Sequence, residues 1–251
     1  MAEKTPNIKE RRTRILLTLL LLDKTRPHNI FDSTIKKVFS LPSDSPRTRG
    51  TLRQMLADDV IKKEEKLYRI TNVGLCELAL SFPFVRFMEL QWDGLYRILS
   101  YEVPEQKRKL RDSLRREISG WGFGPWHRSF WVTPHPISAE LRELVTGTPY
   151  EPFVQMFEGK TVVGEEKILL EKVWNTPKIE EGYKMLFRQW HEVLSKEDLN
   201  SNEKLSKIFS LYTNMLKIDP GLPKELVGEK WIGREAYDIF VEMRGILLAV
   251  K

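Results

Sequence analysis

The stretch SPRTRGTLRQMLADDVI, Ser45 to Ile61, decides how the first third of the chain folds. It opens with a serine able to cap a helix and a proline suited to the first turn. Leu52, Met55 and Leu56 follow at the i, i+3, i+4 spacing of a buried helical face. Arg49 and Arg53 stand one turn apart on a different face. Carboxylates, Asp58 and Asp59, come only at the far end. A solvated helix usually mixes its charges. This one separates them, and the separation is the first clue to what the helix touches.

Upstream, residues 9–24 read as a helix with a basic start and a strongly apolar second half. NIFDSTIKKVFSLP reads as a second, short helix, capped by Asp32 or Ser33 and stopped at Pro42. Downstream, VIKKEEKLYRIT reads as two short strands around a charged turn, and TNVGLCELALSF as a helix with Cys76 in its core. Three helices followed by a hairpin is the order of a winged helix-turn-helix. Its third helix would lie in the major groove and its hairpin along the backbone. The DNA-contacting set on this reading is Arg47, Thr48, Arg49, Thr51, Arg53 and Gln54 on the helix, with Lys62, Lys63, Lys66 and Arg69 on the wing. Arginine pairs bidentately with guanine or phosphate, and the three arginines serve phosphate positioning as readily as base readout. The wing lysines would neutralise phosphates, so affinity would fall with salt. The plainer alternative is a solvated basic helix in a packing domain.

The charge sits where that reading needs it. The chain of 251 residues has a net charge of +6. Residues 1–70 hold 16 Lys/Arg against 9 Asp/Glu, and the remaining 181 residues hold 25 against 26. A basic block on an otherwise balanced chain points to a polyanion. Hydrophobic residues are 41% and charged residues 30%, which excludes general disorder. A single cysteine allows no disulfide within the chain and no cysteine-based metal site, which fits a cytoplasmic setting. RRTRILLTLLLLDK imitates a signal peptide. However, its apolar run, Ile15 to Leu22, is far short of the ~20 residues of a membrane span, and no small-residue cleavage site follows. A buried first helix is the expectation, with no membrane partner.

From Trp92 the pattern alternates. LYRILSYEV is a buried-type strand ended by Pro104. EQKRKLRDSLRREISGWG is a helix with Leu110, Leu114 and Ile118 inward. RSFWVTP is a strand, SAELRELVTG a helix and PFVQMFEG a further strand. The series suggests a small ferredoxin-like α+β sandwich. From Glu165 the pattern is helical, over roughly 165–175, 178–196, 202–217 and 233–249. The expected fold class is therefore α+β, in three parts: a winged helix-turn-helix over 1–82, a ferredoxin-like dimerisation domain over 92–160 and a C-terminal helical domain over 165–251.

Several motifs in that order resemble the PaaX family of bacterial transcriptional regulators. They are WDGLYRILSYEVPEQKRKLRDSLRREISGWGFGPWHRSFWVTPHP, EKVWNTPKIEEGYKMLF and DPGLPKELVGEKWIGREAYDIFVEM, with SPRTRGTLRQMLADDVI and LYRITNVGLCEL matching its winged helix. The resemblance implies a repressor that binds double-stranded operator DNA as a homodimer and is released by an acyl-CoA effector. RTRGTLRQML departs from the R-(T/S)-(A/L)-L-(S/N)-R-L pattern of many relatives, so the operator does not carry over. No effector-binding residue can be matched by position.

LYRILSYEVPE and the helix after it also resemble the small nuclease-like protein of CRISPR spacer acquisition. That family holds a metal through an aspartate at the end of the first strand. Glu102 stands at that position here, with Glu105 nearby. A metal-dependent nuclease is therefore the alternative function, against a strand-end carboxylate that caps a helix or pairs with an arginine. A DNA-binding adaptor without an effector is a third. His28, His127, His135 and His191 lack metal-ligand spacing, and no phosphate loop, nucleophile elbow or dinucleotide fingerprint is present. No catalysis, cofactor or resident metal is expected. Trp121, Trp126 and Trp131 read as core or subunit interface, with stacking on an effector as the alternative. The basic helix carrying Lys107, Arg108, Lys109, Arg111, Arg115 and Arg116 reads as a solvated face, with attraction of CoA phosphates, DNA backbone or a partner as the alternatives.

Overall fold

Asn7 opens the first helix. Its side chain accepts from the Glu10 amide, and the Glu10 carboxylate accepts from the Asn7 amide, each at 2.9 Å. This capping box starts α1, Ile8–Asp23. Every residue from Ile15 to Leu22 is buried, as a helix that is apolar all round requires. The signal-like run is thus a core helix. Among the described residues no helix is long and apolar enough to cross a membrane. The structure, a computed structural model, describes residues 7–88 and 91–249. The aromatic-rich stretch FPFVRFMELQW, residues 82–92, reads from the sequence as a connector or interdomain contact, and its positions 89 and 90 lie outside the described residues.

Asp32 caps α2, Ser33–Val38, by accepting from the amides of Thr34 and Ile35. Ser45 caps α3, Pro46–Ala57, with Pro46 in its first turn. The strands β1, Ile61–Glu64, and β2, Leu67–Ile70, pair antiparallel with Lys62 opposite Arg69 and Lys63 opposite Tyr68. Thr71 caps α4, Asn72–Ala79. Gly74 is obligatory there, because a Cβ would lie 2.1 Å from the Val60 carbonyl oxygen. Cys76, expected in the core, is exposed. The buried face of α4 is Gly74, Leu78 and Ala79, and position 76 falls on the other side of the turn.

The second sheet holds β3, Tyr96–Tyr101, β4, Gly124–His127, β5, Phe130–Thr133, and β6, Val154–Gly159, in the order β4-β5-β3-β6, all antiparallel. Between them run α5, Arg108–Gly120, and α6, Ser138–Val145. This βαββαβ connectivity is the ferredoxin-like arrangement. It has one strand more than the sequence suggests, the edge strand GPWH. Leu99, Tyr101, Leu114, Ile118, Trp131, Ile137 and Leu141 form its core. Trp121 packs against that core, whereas Trp126 lies outside it with the Lys172 ammonium 3.8 Å above its ring. The Trp92-Asp93-Gly94 turn has a structural explanation. Asp93 accepts from the Leu95 amide at 3.0 Å and grips the buried Arg97 guanidinium at 2.9 and 2.6 Å, while Gly94 takes a φ of 75°.

The remaining helices are α7, Glu166–Trp174, α8, Thr176–Leu194, α9, Ser201–Leu216, α10, Lys224–Val227, and α11, Ile232–Ala249. The chain divides into two compact units, drawn from Met1–Ser81, Gly182–Lys217 and Ile232–Lys251 in one case and from Phe82–Glu181 and Ile218–Trp231 in the other. In the first, α9 and α11 bring Tyr212 and Phe240 to 4.9 Å, beside Trp190. Phe39 meets Phe209 edge-on at 4.8 Å, and the Arg244 guanidinium donates to the Leu21 carbonyl at 2.8 Å. In the second, residues 219–223 are all buried. The Pro220 carbonyl lies 2.6 Å from His135 Nε2. Burial pushes His135 down to about 3, so the ring is neutral at ordinary pH and its Nε2–H donates. A Cβ on Gly122 would lie 2.8 Å from that ring, and one on Gly221 (φ 61°) 2.3 Å from the Phe84 amide nitrogen. GFG, TPHP and DPGLP, far apart in sequence, close on one another at this point.

Candidate nucleic-acid interface

The start of α3 is held by hydroxyls. Ser45 Oγ accepts from the Thr48 amide at 3.2 Å, and Thr48 Oγ1 donates to the Ser43 carbonyl at 2.7 Å. Thr51 Oγ1 donates to the Arg47 carbonyl at 3.0 Å and accepts from Arg11 Nε at 3.1 Å. Thr48 and Thr51 are only 2% and 1% exposed. They therefore join Leu52 and Met55 on the inward face, and their hydroxyls serve the fold. Arg47, Arg49, Arg53 and Gln54 are exposed. So are Lys62, Lys63 and Lys66 on the hairpin, with Arg69 half-buried beside them.

Ion pairs sort these cations. Asp58 is taken by Arg12 of α1 at 2.6 Å, and the same guanidinium holds Glu77 of α4 through two contacts at 2.8 and 2.5 Å. Those hydrogen-bonded carboxylates raise the Arg12 pKa, and the pairing lowers that of Asp58. Gln54 Nε2 also donates to Asp58, at 2.8 Å. The acidic end of α3 is thus bound into the unit. Arg69 Nε lies 3.5 Å from Glu64. Arg49 meets Asp44 in a two-point pair, Nε to Oδ1 at 2.7 Å and Nη2 to Oδ2 at 2.8 Å. That contact holds the Asp44 carboxyl below its usual range. Arg47, Arg53, Lys62, Lys63 and Lys66 make no ion pair among the described residues. Sequence reasoning missed Asp44, because it stands ahead of the helix cap, outside the i, i+4 pairing rule.

In the second unit Glu102 is exposed, and Glu105 is paired with Arg111 at 2.7 Å. Among the described residues no group of three or more His, Cys, Asp or Glu could hold a metal ion. On α5, Arg108 lies 3.7 Å from Asp112, and Lys107 stands over the Phe153 ring. A cavity of about 450 Å3 lies against Leu170, Thr176, Leu226 and Trp231, and its charged lining is Lys167, Glu171 and Glu180. Its charge does not single out the phosphates of an acyl-CoA.

Two family models cover most of the chain: the PaaX protein central Cas2-like domain over residues 89–170 and the PaaX-like protein C-terminal domain over residues 174–250. The chain belongs to the PaaX family. The ferredoxin-like sheet and the TPHP motif fall in the first matched stretch, and DPGLP in the second. The α3 helix and the hairpin of this PaaX-family chain lie outside both. None of the curated proteins compared matches it. It is similar to the solved structure of the uncharacterized protein Rv0674 from Mycobacterium tuberculosis, at 17% identity and a TM-score of 0.49, over 93% of this chain and 97% of that one.

Proposed function

We propose that this PaaX-family chain is a DNA-binding transcriptional regulator, a repressor that occupies a pseudo-palindromic operator as a homodimer in the cytoplasm. Residues 1–82 act as the winged helix, with α3 in the major groove and the hairpin along the backbone. Residues 92–160 dimerise, and 165–251 support the dimer. The observation that carries this reading is the exposed cationic surface formed by Arg47, Arg49 and Arg53 with Lys62, Lys63 and Lys66, beside the half-buried Arg69, while the acidic end of the same helix is neutralised from within. Family resemblance adds release by an acyl-CoA, to be read as a thermal shift on adding acyl-CoAs.

The test is a gel shift on random-sequence duplex across a salt series, with and without magnesium. The regulator reading expects an intact, shifted duplex whose affinity falls steeply with salt. Strands shortened by the wild type in magnesium but not by Glu102→Ala would replace it with the nuclease reading.

A further inference from the structure

The Asp44–Arg49 pair is arranged in a particular way. The carboxylate occupies the Nε/Nη2 edge of the guanidinium, at 2.7 and 2.8 Å. A guanidinium carries five N–H donors in a rigid fork. This pairing uses two of them and leaves the Nη1/Nη2 edge, the one whose two parallel N–H groups match guanine O6 and N7. Asp44 is itself on fixed backbone. Thr48, buried on the inner face of α3, donates to the carbonyl of Ser43, the residue before it. Both members of the pair are exposed, at 68% and 44%, and an exposed pair adds little stability. Its consequence is geometric: it removes the rotamer freedom of a long side chain near the start of α3, the part of such a helix that meets base edges.

We infer that Arg49 reads a guanine and that Asp44 is its positioning residue, while Arg47, Arg53 and the hairpin lysines bind the sugar-phosphate backbone. This rests on the DNA-binding reading and goes further, since it separates the base reader from the phosphate contacts. Asp44 also places a negative charge beside the cationic surface. Its removal therefore has two opposite effects. Attraction to any duplex is kept or strengthened, and preference for guanine weakens. A purely structural pair would produce the first effect, through charge alone, and leave the preference for guanine unchanged.

The experiment selects duplexes from a random library with the full-length wild type. Affinities are then measured on the selected duplex, on copies carrying 7-deazaguanine at each selected guanine, and on random duplex. The wild type is expected to lose at least fivefold when N7 is removed at one guanine. Asp44→Asn and Arg49→Ala are expected to lose less than twofold there, and Asp44→Asn to bind random duplex at least as tightly as the wild type, with unchanged thermal unfolding. Retention of the full wild-type penalty by Asp44→Asn overturns the inference and leaves DNA binding standing. So does the absence of any selected guanine, or an N7 penalty abolished by Arg53→Ala and not by Arg49→Ala. Failure of the wild type to bind any duplex at low salt overturns the DNA-binding reading as well.

Discussion

His135 shows how one residue sets a pH response. The ring is fully enclosed and its Nε2–H serves the Pro220 carbonyl at 2.6 Å. Burial depresses its pKa from 6.5 to about 3. The unfolded chain therefore binds a proton between those values that the folded chain refuses. Stability from this group is complete above about pH 6.5 and is lost as pH falls toward 3, by at most ~1.4 kcal/mol per pH unit. Denaturant unfolding measured from pH 7 to 4 should show this slope, and His135→Gln should flatten it; an equal slope in both would contradict the assignment. Gly221 makes a sharper prediction. A Cβ at φ 61° would press on the Phe84 backbone, so Gly221→Ala should cost about 2 kcal/mol or more. Gly245 is exposed in α11 with nothing within 4 Å of a Cβ, and Gly245→Ala should stabilise by up to ~1 kcal/mol. Thermal unfolding of the two variants should move in opposite directions.

Among the elements, the helices were the most legible, because caps and periodicity agree. Asn7, Asp32, Ser45 and Thr71 each accept the amide bonds their positions promise. The edge strand β4 was not, since GPWH is four residues with a glycine and a proline and carries no alternation. The placement of Thr48 and Thr51 was legible but overlooked. Positions 48, 51, 52 and 55 form one i, i+3, i+4, i+7 stripe, and a threonine there turns its hydroxyl to the helix's own backbone. The Asp44–Arg49 pair and the His135 contact join residues outside any local period, so only the fold brings them together. For the hairpin the expected behaviour is collective. Replacing Lys62, Lys63 and Lys66 with alanine should weaken binding to all duplexes alike and reduce the salt slope by about one for each phosphate that is no longer neutralised. A weakening confined to one sequence would mean that the hairpin reads bases.

The two units alternate along the sequence. Residues 218–231 leave α9, bury DPGLP beneath the second unit's TPHP turn, and return to α11. The sheet of that unit ends long before, at Gly159. Truncation after Lys217 should therefore destabilise the sheet unit as well as remove α11. Hydrogen-exchange protection of the β3 and β5 amides should be lost at a lower denaturant concentration than in the full chain, and unchanged protection would contradict the account. The same chain sets a cationic α3 and hairpin in one unit, and on those charges the regulator reading rests. The most direct measurement is the affinity of the full-length protein for duplex DNA across a salt series, beside the charge reversal Arg47→Glu, Arg49→Glu, Arg53→Glu. The account predicts tight, steeply salt-dependent binding by the wild type and its loss in a folded triple variant. Equal binding by both proteins would contradict it.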